Sequence, residues 1–81
     1  MKFQNPLYGP YAIRDAAFLS ERANRLDDPR YRFYRAMLSS KTYEQYYLQV
    51  GDLEVEPPTF VSRPVNADME IKYAKKRGWI E

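Results

Sequence analysis

PRYRFYRAMLSSKTYEQYYLQV, residues 29 to 50, decides the fold of this chain. It holds Tyr31, Phe33, Tyr34, Tyr43, Tyr46 and Tyr47, six aromatic residues of a sequence with eight Tyr, four Phe and one Trp. Two helical patterns meet at Ser39-Ser40, so the economical reading is a helix over residues 29–38, a short turn, and a second helix over residues 41–50. Asp28 offers a carboxylate to the free N–H groups of the first turn, and Pro29 needs no donor there. On a wheel of about 100° per residue, Tyr31, Phe33, Tyr34, Met37 and Leu38 share one side, with Arg32 and Arg35 opposite. Tyr43, Tyr46, Tyr47 and Val50 make the stripe of the second helix. Its cap is Ser40, with Thr42 and Gln45 as an alternative capping box, and Gly51 is its left-handed stop.

Upstream, Ala12, Ala16, Leu19, Ala23 and Leu26 recur at spacings of four and three, which predicts a helix from Tyr11 to about Leu26 with Pro10 at its first position. Residues 1–10 contain Asn5-Pro6 and Gly9-Pro10 and read as an irregular arm, anchored if at all by Phe3, Leu7 and Tyr8. Downstream, Pro57-Pro58 and Arg63-Pro64 make residues 52–65 a stiff extended connection, pinned to the core by Leu53, Val55, Phe60 and Val61. A two-stranded ribbon of the 52–56 segment with Thr59-Phe60-Val61 is the minority alternative. Asn66 caps a last helix whose buried side carries Ala67, Ile71 and Ala74. Gly78 ends it and returns Trp79 toward Ala74.

All six prolines fall outside these helix interiors, which supports the assignment. The expected fold class is therefore all-α, a compact bundle of three to four short helices with an extended Pro-rich connection before the last helix. The whole chain of 81 residues forms one small domain. A chain of this length withdraws only roughly 60% of its unfolded surface from water, so the margin of stability is thin. With no Cys and no His, neither disulfides nor thiolate or imidazole ligation of a metal can widen it. Aromatic packing or a partner chain must do so.

Thirteen basic residues stand against eleven acidic ones, for a net charge of +2, which exerts no strong pull toward nucleic acid. No apolar run is long enough to cross a bilayer and no signal-peptide pattern opens the sequence, so the expected location is the cytoplasm, without membrane association.

Three groups of side chains invite a functional reading. The helix pair of residues 29–38 and 41–50 resembles the DNA-binding helix-turn-helix in outline. Lys41 and Gln45 would then lie at the start of the reading helix, with Arg30, Arg32 and Arg35 on phosphates. The same arginines, interleaved with tyrosines, are a pattern used for single-stranded nucleic acid, although here the aromatic residues fall on the apolar arc instead of among the cations. Lys72, Lys75, Lys76 and Arg77 form the densest basic cluster, where cations also complement the negative end of a helix dipole. Catalysis has little to draw on. No glycine-rich phosphate loop, nucleophile elbow or carboxylate metal motif is present, and no cofactor is implied. The favoured reading is a non-catalytic protein-binding module, an adaptor, inhibitor or accessory factor with a protein partner or a second copy of itself. The DNA-binding domain is the alternative.

Overall fold

A computed structural model describes residues 11–81, so the arm of residues 1–10 with Phe3, Leu7 and Tyr8 lies outside the described residues. The first helix, α1, is Ala16–Ala23, shorter than the stripe predicts. Asp15 is its N-cap, and the Asp15 carboxylate accepts the Phe18 N–H at 3.0 Å. The residues before it are committed elsewhere. The N–H groups of Arg14 and Asp15 donate to the Trp79 carbonyl at 2.7 and 3.1 Å, and the Glu81 N–H donates to the Ala12 carbonyl at 2.8 Å. Ile13 and Ile80 form an antiparallel bridge, so the C-terminus and residues 12–15 hold each other extended. Leu19 and Ala23 of the stripe are buried, whereas Ala12, Ala16 and Leu26 are exposed.

The decisive stretch folds as two helices, α2 at Tyr31–Ser39 and α3 at Tyr43–Val50. Phe33, Tyr34 and Met37 are buried and Arg32 and Arg35 exposed, as the wheel requires. Thr42, not Ser40, caps α3. Its hydroxyl accepts the Gln45 N–H at 3.1 Å while the Gln45 side chain reaches back to the Lys41 N–H at 2.7 Å. Ser40 is buried in the turn and is tied to Gln49 instead. Gly51 is not left-handed, for its φ is −61°. Glycine is needed there because a Cβ would run into the Tyr47 carbonyl oxygen, which accepts the Gly51 N–H.

The all-α expectation is too narrow. Glu54–Val55 (β1) pairs antiparallel with Val65–Asn66 (β2), Glu54 opposite Asn66 and Val55 opposite Val65. The fold is mostly helical with a small two-stranded sheet. The partner of the 52–56 segment lies at residues 65–66 and not at 59–61, and two residues are too short to show a period-two pattern. Phe60 also departs from expectation. It is 75% exposed, while Leu53, Val55 and Val61 pack against the core.

Helix α4 is Ala67–Arg77. The Asn66 side chain accepts the Met69 N–H at 2.9 Å. Gly78 adopts φ +84° and ends the helix with a Schellman turn, in which the Trp79 N–H reaches the Ala74 carbonyl and the Gly78 N–H reaches that of Lys75. Trp79 is thereby folded under the helix, 4% exposed.

α2 is the hub, packing on α1, α3 and α4. The tyrosines supply both apolar bulk and ties between elements. Tyr46 donates to the Ala67 carbonyl at 2.6 Å, Tyr47 to Asp68 at 2.8 Å, and Tyr11 to the Met37 and Ser40 carbonyls at 2.6 and 3.0 Å. Burial raises the pKa of Tyr46, and burial with a neighbouring Tyr43 raises that of Tyr11 to about 12, so these hydroxyls remain donors at neutral pH. The described residues form a body of 34 × 26 × 20 Å. None of its helices is long and apolar enough to cross a membrane.

Candidate functional site

The arginines of the decisive stretch divide on inspection. Arg30 is not on a solvated face. It is 8% exposed, and its guanidinium clasps Asp28, with Nε 3.0 Å from both carboxylate oxygens and Nη2 2.5 Å from Oδ2. Burial pushes the Asp28 carboxyl up, but the hydrogen bonds from the Arg30 guanidinium and backbone outweigh it and hold the carboxyl below its ordinary value. Arg32 and Arg35 do face outward. Arg35 gives its Nε–H to the Ala23 carbonyl at the end of α1, 3.2 Å away, and its guanidinium lies over the Tyr31 ring. Beyond the turn, Lys41 is exposed and the Gln45 carboxamide oxygen is occupied by capping.

The basic cluster of α4 is dispersed around the helix. Lys72 pairs with Asp68 at 3.3 Å, Lys75 lies over the Tyr43 ring, Lys76 is exposed, and Arg77 lies over the rings of Tyr73 and Trp79. The nine cations and amides marked in the sequence therefore do not converge. Arg30 and Arg32 line two different hollows, Arg32 one shared with Asp27, Glu54 and Glu56, and Arg77 stands over a ring of the Arg30 site.

That site is a cleft of about 340 Å³ between α1, the Phe60–Arg63 loop and α4, lined by Arg22, Arg30, Phe60, Val61, Ser62, Arg63 and Tyr73. Behind it lies Glu70, a carboxylate with no solvent exposure. Tyr34 donates to its Oε1 at 2.7 Å, and Arg63 grips both oxygens, at 2.5 and 3.2 Å. Burial, with the Glu70 charge and hydrogen bond adding, raises the Tyr34 pKa. The hydrogen bonds from Arg63 to Glu70 outweigh burial and raise the pKa of the guanidinium. Two of the three arginines of the cleft thus carry their own carboxylates.

Arg22 does not. Its guanidinium carbon sits 5.0 Å from the Trp79 ring centre, 5.7 Å from that of Tyr34 and 5.9 Å from that of Tyr73. Among the described residues it forms no ion pair, and its Nε is buried without a hydrogen-bond partner. A guanidinium is weakly hydrated and tolerates aromatic faces, but its N–H groups still seek acceptors. A buried donor without one is uncommon in native structures. Tyr73 is the meeting point, with the guanidinium carbons of Arg22, Arg63 and Arg77 all within 6 Å of its ring centre, the nearest at 4.8 Å.

Sequence reasoning missed Arg22, Arg63 and Tyr73. Arg22 reads as the polar face of a helix, Arg63 as part of the stiff extended connection of residues 52–65, and Tyr73 as a core flank. They are separated by up to about fifty positions, and only the return of α4 against α1 brings them together. The sequence signal was Glu70, a carboxylate three positions after Ala67 and four before Ala74 and so on the buried stripe of the helix, where it calls for a partner from elsewhere in the chain.

A larger hollow of about 560 Å³ beside the ribbon is lined in part by Asp52, Glu54 and Asp68. Asp68 is already bound by Tyr47 and Lys72, and among the described residues no group of three or more metal-ligating side chains forms. No family model matches the chain, and no curated protein or solved structure matches it.

Proposed function

We propose that the protein is a non-catalytic protein-binding module that engages its partner through the arginine and aromatic cleft. The observation that carries this reading is the pairing of a guanidinium that has no carboxylate among the described residues with an exposed aromatic side chain. Among the described residues Arg22 forms no ion pair and its buried Nε has no acceptor, and Phe60, 75% exposed, lines the same cleft with the Arg30 guanidinium 5.5 Å from its ring centre. Arginine and aromatic side chains dominate the energetic centres of protein interfaces.

The DNA-binding alternative draws less support. The outward residues of the second helix of the pair, Glu44, Gln45, Leu48 and Gln49, include no cation, and Arg30 is neutralised by Asp28. A groove-reading helix needs phosphate contacts around it, and here only Arg32, Arg35 and Lys41 remain to supply them.

Affinity capture with the full chain separates the two readings. The module reading expects one stoichiometric protein partner, lost with Phe60→Asp and retained with Arg32→Gln. Salt-sensitive retention on duplex DNA that is lost with Arg32→Glu and Arg35→Glu, and kept with Phe60→Asp, would replace it with the DNA reading.

A further inference from the structure

We infer that the cleft is a subsite for a doubly charged phosphate carried on an aromatic side chain, that is, a phosphorylated tyrosine of a protein partner. This rests on the protein-binding reading of the same cleft and adds the chemistry of the group it takes.

Charge makes the first argument. Arg22, Arg30 and Arg63 line the cleft and Arg77 stands over its Tyr73 wall, while Asp28 and Glu70 are the carboxylates paired within it. Four guanidiniums against two carboxylates leave a local surplus of two positive charges. A single carboxylate would neutralise half of that, whereas a phosphate monoester near neutral pH carries about −1.5 to −2. Donors make the second. Arg63 spends two of its nitrogens on Glu70, and Arg30 spends Nε and Nη2 on Asp28, but Arg22 spends none on a described residue and Arg30 keeps Nη1. Guanidinium N–H groups on more than one arginine suit the several oxygens of a phosphate. The walls make the third. Tyr73, Phe60 and Val61 offer ring and apolar surface beside the cations, which a phenyl ring can cover and a bare phosphate or a phosphoserine cannot.

The two internal salt bridges hold Arg30 and Arg63 in place before any ligand arrives. Pre-ordered arginines lose little side-chain freedom on binding. The Arg22 guanidinium, which gives no hydrogen bond to a described residue, then supplies its terminal N–H groups to the ligand, and the buried Nε reports that contact.

The test uses the full chain labelled with ¹⁵N and follows the Arg22 Nε–H resonance by NMR. The probes are inorganic phosphate, phenyl phosphate, a tyrosine-phosphorylated peptide, the same peptide unphosphorylated, and a single-stranded oligonucleotide. The expected result is a saturable Arg22 shift with phenyl phosphate and with the phosphopeptide, weaker saturation with inorganic phosphate, and none with the unphosphorylated peptide. Arg22→Lys keeps the charge without the fork and lowers affinity roughly tenfold or more, the loss of one charge-assisted hydrogen bond. Arg32→Gln leaves affinity unchanged. Circular dichroism checks that Arg22→Lys and Arg32→Gln keep the fold.

No saturable shift with any phosphate, or equal affinity in Arg22→Lys, overturns the inference. Inorganic phosphate binding as tightly as phenyl phosphate overturns its aromatic part. An oligonucleotide that displaces the phosphopeptide at lower concentration overturns the protein source. If phosphate fails at Arg22 while Phe60→Asp still abolishes capture of a stoichiometric partner, this inference falls and the protein-binding reading stands.

Discussion

Two arginine groups in this molecule look alike in sequence and differ in every physical respect. Arg32 and Arg35 lie on the outer face of α2, exposed and, among the described residues, in no ion pair. Arg22, Arg30 and Arg63 come from three separate segments and converge on a cleft in which two of them are fixed by buried or nearly buried carboxylates and the third has no acceptor among the described residues. A surface ion pair contributes little, but a charge whose partner is buried is committed, because removing the partner strands it in low dielectric. Density of cations along the chain therefore marked the less informative group. The cleft is distinguished by commitment and by the guanidinium donors left over on Arg22 and Arg30.

The sharpest way to break the comparison is to delete one member of each group. Arg63→Ala strands the fully buried Glu70 and is expected to cost about 3 to 5 kcal/mol in a denaturant titration. Arg32→Ala, at the exposed position, is expected to stay within about 0.5 kcal/mol. Equal losses in the two variants would erase the distinction between the groups.

Asp28→Asn comes next. It is expected to destabilise the fold by about 3 kcal/mol at neutral pH, since Arg30 keeps its charge and loses the carboxylate. The pH dependence has a fixed sign. The Asp28 carboxyl is held below its ordinary value in the fold, so its contribution is complete above about pH 4 and is lost as the pH falls through the lower folded value. The gap between wild type and Asp28→Asn should narrow as the pH drops below about 4. A gap that widens there would contradict the assignment of Asp28 as the ionised partner.

Tyr34→Phe removes one of the groups that satisfy Glu70 but leaves the Arg63 clasp, and a smaller loss of about 1 to 2 kcal/mol follows. Phe60→Ala is the smallest. At 75% exposure it is expected to change stability by less than about 0.5 kcal/mol while weakening partner capture. A large stability loss would mean that Phe60 belongs to the core and not to a recognition surface.

Much of the fold was legible because local chemistry and packing agree there. Asn66, Gly78 and the Phe33, Tyr34 and Met37 face of α2 stand where capping, left-handed geometry and periodicity put them. Two of the misses share one cause. The shortened start of α1 and the β1–β2 ribbon are set by long-range pairing: residues 12–15 with residues 79–81, and residues 54–55 with 65–66. Such contacts leave no mark within a window of a few residues. The cleft was hidden for the same reason. Arg22, Arg63 and Tyr73 meet only after α4 has folded back, and Arg30 passed for a surface arginine because the wheel places residues by angle and cannot see Asp28 two positions away turning to meet it.

The most direct measurement of the central claim is a backbone amide shift map of the full chain titrated with phenyl phosphate. The account predicts that shifts concentrate at Arg22, Phe60 to Arg63, Tyr73 and Arg77, with Lys41 to Gln49 unmoved. Shifts confined to Lys41 to Gln49 and the Arg32 and Arg35 face, or no saturable shift anywhere, would contradict it.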